Sequence, residues 1–250
     1  MKESSNSSAR SVSSGSSASS ASSVSRFIRV ASLIVRKDLT VEIRSRELIY
    51  TTLFFAVSCV LMFAFALVRE GEPLPDAGAG ILWIAIAFSG TLALGRAFER
   101  ERQTETMRAL LLAPADRPAI YVGKLLSILL LMAATELVLV PLVWLFFQAP
   151  IDARPLLLLA LLATGTIGYA AVGTLFAAML VRSRTRDVLL PLLLYPITVP
   201  VMIAGVRGTA ALFQARPDEA IAGFWIALLL AFDAVFVTLA LWTFEPLMTE

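Results

Sequence analysis

Histidine is missing altogether from the 250 residues, and Cys59 is the single cysteine. The first absence removes the commonest metal ligand and the side chain that titrates nearest neutral pH, and with it any histidine-ligated haem held by this chain. The second rules out an internal disulfide. Charge is scarce too, at 16% of residues against 58% hydrophobic, whereas a soluble domain carries about 25% charged residues. So few charges cannot cover so much apolar surface in water, and the chain reads as a polytopic membrane protein. No G-x-x-x-x-G-K-[ST] phosphate loop occurs, nor any zinc motif, nucleophile elbow or histidine dyad. Any ATP-driven work therefore draws its energy from a partner. Metal sites and nucleic-acid partners are not expected.

What is there divides into stretches of distinct character. Residues 1–25 include 14 serines and no large apolar run, a composition that buries no core and is expected to be disordered. Without an apolar h-region it does not read as a cleavable secretory signal. Residues 26–48 put Phe27, Val30, Ile34, Val41 and Leu48 on one side, flanked by Arg26, Arg29, Arg36, Lys37, Arg44 and Arg46. This is the pattern of a basic interfacial helix lying on the membrane.

A domain of six spans follows over residues 49–245, with a short tail at 246–250. A span needs about 20 apolar residues. The runs fall at about 50–68, 79–94, 119–147, 155–181, 188–206 and 220–244, giving an all-α polytopic fold. Pro141 in the third span, and Pro191, Pro196 and Pro200 in the fifth, remove backbone donors and mark kinks. A broken, moving fifth helix and a static irregular one both suit these prolines. Glycines and alanines of the fourth span, including Gly165, Gly168 and Gly173, allow close helix approach; a subunit face on that span, the first or the fifth stays open. With the N-terminus inside, fifteen Lys/Arg fall on cytoplasmic segments and four on outer loops. The positive-inside rule then places both termini in the cytoplasm. Trp83, Trp144 and Trp225 lie near span ends, where aromatic belts form.

The one long polar stretch inside the apolar chain runs from Gly95 to Lys124. Residues 95–118 read as a charged amphipathic segment at the membrane surface. Phe98, Arg102, Glu105 and Leu112 step by four, three and seven, which separates charges from apolar groups. Glu101 and Glu105 form a like-charge pair at helical spacing, so the segment suits docking better than standing alone. Two carboxyls, Glu136 and Asp233, sit near the middle of the third and sixth spans. Groups at that depth cost about 2.5–3.5 kcal/mol on insertion scales and face a bundle interior. Hydroxyls such as Thr135, Thr164 and Thr166 are available partners, and neutral carboxyls are expected.

Several stretches carry a family resemblance. KDLTVEIRSRE before the first span, GILWIAIAFSGTLALGRAFERE across the second and LLLAPADRPAIYVGKLL entering the third resemble the haem exporter protein B (CcmB) family, the permeases of the cytochrome c maturation system. TELVLVPL around Glu136, GYAAVGTLFAAML and LLPLLLYPITVPVMIAG do so as well. The resemblance spans about residues 26–245 and leaves out the serine tail. It implies a six-span permease of the ABC exporter type (ABC-2-like), non-catalytic, in the bacterial inner membrane. It further implies ATP on a cytoplasmic ABC ATPase subunit and haem handled by the complex, with no cofactor held firmly by this chain. The implied partners are a haem-handling membrane subunit, a small membrane subunit and a periplasmic haem chaperone, with two permease copies. On that footing Arg96, Phe98, Glu99, Arg100, Glu101, Arg102 and Glu105 would couple to the ATPase, with Arg182, Arg184 and Arg186 of VRSRTRD as a second contact. A related exporter permease carrying a lipid or drug shares the same architecture; an integral-membrane enzyme and a passive scaffold are the other classes weighed.

Overall fold

In the computed structural model, residues 8–69, 72–73, 77–103, 117–149, 153–214 and 216–247 are described. Among these, seven α-helices follow one another: α1 (Ser8–Ser45), α2 (Glu47–Ala66), α3 (Ala77–Gln103), α4 (Arg117–Phe147), α5 (Pro155–Met179), α6 (Arg186–Leu212) and α7 (Glu219–Leu247). A two-residue ladder, β1 (Val68–Arg69) against β2 (Glu72–Pro73), lies between α2 and α3. A 3₁₀ turn, Leu180–Arg182, joins α5 to α6. Six helices, α2 to α7, are long and apolar enough to cross a membrane.

The helices differ in role. Most of α3 and α5 is buried, while α2, α4, α6 and α7 present broad apolar faces outward. Small residues make α5 a central pillar. A Cβ at Gly165 would strike the Trp83 ring, one at Gly173 would strike Leu94, and one at Gly168 would lie 2.6 Å from Asp233 Oδ1. Its glycine face is thus occupied within the chain by α3 and α7, and is not free as a subunit face. Trp83 is fully buried rather than belted at an interface. Its ring lies against Gly165 and Gly205, and its Nε1 donates to Thr209 Oγ1 at 2.9 Å. Trp144, by contrast, is exposed.

Two helices run past their expected limits. α1 is drawn back to Ser8 through the serine-rich stretch, ahead of the Arg26 boundary where apolar contacts begin. Its buried side carries Ile34 as read, together with Ala31, then turns onto Asp38 and Glu42, leaving Val41 exposed. α6 is continuous across Pro191, Pro196 and Pro200. Each proline costs a backbone bond, but flanking helices hold the coil together, and Thr198 Oγ1 donates to Leu194 O at 2.9 Å. The span therefore runs unbroken through its prolines.

Candidate functional site

At the basic end of the bundle, helices from every part of the chain converge, and buried ion pairs tie them together. α1 crosses the start of α4 at a glycine. A Cβ at Gly123 would lie 2.9 Å from Ile34 Cβ and 3.1 Å from Ala31 O. Beside it Lys124 Nζ donates to Asp38 Oδ2 at 2.7 Å, with side-chain exposures of 7% and 22%. Burial raises the pKa of Asp38, but the ammonium groups of Lys124 and Lys37 outweigh it and hold the carboxyl below its ordinary value. Farther along α1, Glu42 Oε1 accepts from the Ile49 amide at 2.9 Å. This satisfies one orphan donor in the first turn of α2, next to the left-handed turn at Arg46 (φ 55°).

The second junction joins α3 to α6. Arg186, the first residue of α6, is 3% exposed. Its Nη2 donates to the carbonyl of Gly95 and lies 3.2 Å from Glu99 Oε2 and 3.8 Å from Asp187 Oδ1. Its Nε and Nη1 are buried and, among the described residues, have no hydrogen-bond partner. Arg96 Nη1 lies 3.7 Å from Glu47 Oε1 at the start of α2. The ring of Tyr121 on α4 meets Phe244 of α7 at 5.4 Å, and its hydroxyl donates to Ala171 O of α5.

The coupling residues read from sequence thus fall into three groups. Phe98 and Arg186 are buried inside the chain. Arg96, Glu99 and Arg184 keep exposed surface. Arg100, Glu101 and Arg102 continue the backbone of α3, Arg182 closes the 3₁₀ turn, and Glu105 lies outside the described residues. The segment read at 95–118 is therefore seen in part, as a helical extension of the second span to Gln103.

The two mid-membrane carboxyls do not meet. Thr166 of α5 donates to Glu136 Oε1 on α4, whereas Thr135 and Thr164 spend their hydroxyls on carbonyls of their own helices. Asp233 faces α5 at Gly168, with Oδ1 buried and, among the described residues, without a hydrogen-bond partner. Each carboxyl serves a different seam of α5, so they form no shared site. Pro141 sits on the outer side of α4.

Sequence reading missed the polar core of the bundle. The hydroxyls of Tyr169 and Tyr195 meet at Thr91 Oγ1, at 2.6 and 3.2 Å, and Tyr169 also donates to Ala87 O at 2.7 Å. The only hint was polar side chains within apolar runs. Lys124 was likewise legible as a lone cation just inside a span, though nothing marked Asp38 as its partner.

The comparisons agree with this architecture. The family model described as "CcmB protein" matches residues 29–246. Heme exporter protein B of Pseudomonas aeruginosa is 28% identical over 187 residues, covering 75% of this chain and 83% of that protein. Its counterpart in Rhodobacter capsulatus is 28% identical over 194 residues, 76% and 88% of the two chains. That of Paracoccus denitrificans is 32% identical over 154 residues, 62% and 70%. With a family model matched across nearly all of its membrane-spanning part, the chain belongs to the CcmB protein family.

Proposed function

We propose that the chain is the membrane-spanning permease subunit of a haem exporter of the bacterial inner membrane that serves c-type cytochrome assembly. The names of its relatives support haem export. The observation that carries the mechanism is the α3 extension: one helix leaves the bundle as far as Gln103 and is fastened at Gly95 and Glu99 by Arg186 of α6. An ATP-hydrolysing subunit on the cytoplasmic side pushes on this extension and on the exposed Arg184 turn. A rigid helix carries that push into the spans without needing any reactive group here. ATP stays on the partner, and haem is handled by the complex with a haem-handling membrane subunit, a small membrane subunit and a periplasmic chaperone. Two permease copies pair with two ATPases. Glu136 holds α4 to the α5 pillar through Thr166, and Asp233 packs against the pillar at Gly168, both as neutral carboxyls.

A haem-stained gel of membranes from a deletion strain, with and without the gene restored, tests this. Covalent cytochrome c is expected to vanish on deletion and return with the intact gene. Unchanged cytochrome c would overturn the haem role and point to an exporter permease with another cargo.

A further inference from the structure

α6 carries three prolines, which invites reading it as the moving helix of the bundle. The polar contacts point elsewhere. α3 and α6 are bonded side by side at three depths. Deepest from the basic end, Trp83 Nε1 donates to Thr209 Oγ1 at 2.9 Å, both residues fully buried. In the middle, Thr91 Oγ1 donates to the Tyr195 hydroxyl at 3.2 Å, beside the Phe88–Tyr195 ring contact at 5.9 Å. At the basic end, Arg186 donates to Gly95 O and reaches Glu99. Trp83 and Glu99 are separated by sixteen helical steps, about 24 Å along the axis, which is most of the hydrocarbon thickness of about 30 Å. The rungs also bracket every weak point of α6. Pro191 lies between Arg186 and Tyr195, Pro196 follows Tyr195, and Pro200 lies between Tyr195 and Thr209.

We infer that α3 and α6 form one rigid body, with Arg186 as the positioning residue that locks its basic end. The prolines shape α6 to follow α3 and do not free it to hinge. This deepens the coupling reading above, on which its functional meaning rests: a push on the α3 extension moves both helices together. A single Nη2 shared between the Gly95 carbonyl and the Glu99 carboxylate suits the task, because it ties one point of α6 to two successive turns of α3.

The test uses the full chain in nanodiscs, with Cys59→Ala and spin labels on cysteines introduced at the half-buried Leu92 of α3 and the exposed Val188 of α6; neither native side chain forms a rung. Pulsed dipolar spectroscopy should give one narrow interhelix distance. Arg186→Gln should widen it or shift it by about 2 Å or more, the scale of helix shifts in switching proteins, and Arg186→Lys should restore it in part. An equally narrow, unmoved peak in Arg186→Gln overturns the lock. Should that variant fail to accumulate, Thr91→Val removes the middle rung and carries the same test. In a second arm the labelled chain is purified with its ATPase and trapped with ADP and vanadate. The α3–α6 distance should keep its place; a shift of about 2 Å or more there overturns the rigid body and leaves coupling intact. A chain that binds no ATPase defeats coupling, while the first arm still decides the rigid body.

Discussion

The two ends of the bundle each carry an interhelix ion pair, and they differ in kind. At the basic end Lys124 meets Asp38 with exposures of 7% and 22%, and Arg186 meets Glu99 with 3% and 30%. At the opposite end Arg154 meets Glu219, each side chain 53% exposed. Burial leaves a charge dependent on its partner, because removing the partner strands it away from water. Exposure lets water replace the partner at little cost. The basic end is thus fastened by these two buried contacts, beside the exposed Arg96–Glu47 pair at 3.7 Å. The opposite end is closed mainly by packing, with Gly78 of α3 against Phe147 and Val143 of α4.

Breaking the tighter end should have the largest effect. Lys124→Met leaves Asp38 with only its neighbour Lys37, at 3.0 Å, where α1 crosses α4, and should cost about 1.5–3 kcal/mol for the lost charged hydrogen bond, read as a lower Tm of the purified protein. Next comes Gly205→Leu, which drives a side chain into the Trp83 ring and should cost about 1–3 kcal/mol by overpacking in the same assay. Acid should erase the difference between wild type and Lys124→Met. The Asp38 pKa is lowered from 3.8 in the folded chain, so the stability from this pair is complete above that value. It is lost as pH falls through the lower folded value. A Tm gap between the two proteins that persists unchanged well below pH 3.8 would contradict the assignment.

Smaller effects sharpen the contrast. Glu136→Gln keeps an acceptor for Thr166 and should leave stability unchanged. Glu136→Leu should cost about 1 kcal/mol or less, because the freed hydroxyl can turn back to its own helix. Arg154→Ala should be the mildest, within about 1 kcal/mol, and whatever effect it has should fade as salt rises.

The six spans were legible because apolar runs of the right length have few alternatives, and the short second run grew once its polar continuation proved helical. Less legible was where polar side chains point. Arg184 and Arg186 are two residues apart in one basic turn, yet the first is exposed and the second is buried under α3. Trp83 sat near a span end and looked like an interface residue; only the glycines at 165 and 205, far off in the chain, make room for it inside. Thr166, not Thr135 or Thr164, holds Glu136 because rotation about the α5 axis chooses among hydroxyls that composition treats alike. Such choices depend on which helices meet, information that the local pattern of a single span does not hold.

Coupling through the basic end is tested most directly by purifying the tagged chain from its native membranes and assaying the complex for ATP hydrolysis. Three forms should be compared: wild type, the double reversal Glu101→Arg and Arg184→Glu at the basic end, and the reversal Arg154→Glu at the opposite end. The prediction is that ATPase activity accompanies wild type and Arg154→Glu, and is lost from the double reversal while that chain still inserts. ATPase activity retained by the double reversal, or lost equally from Arg154→Glu, would contradict it.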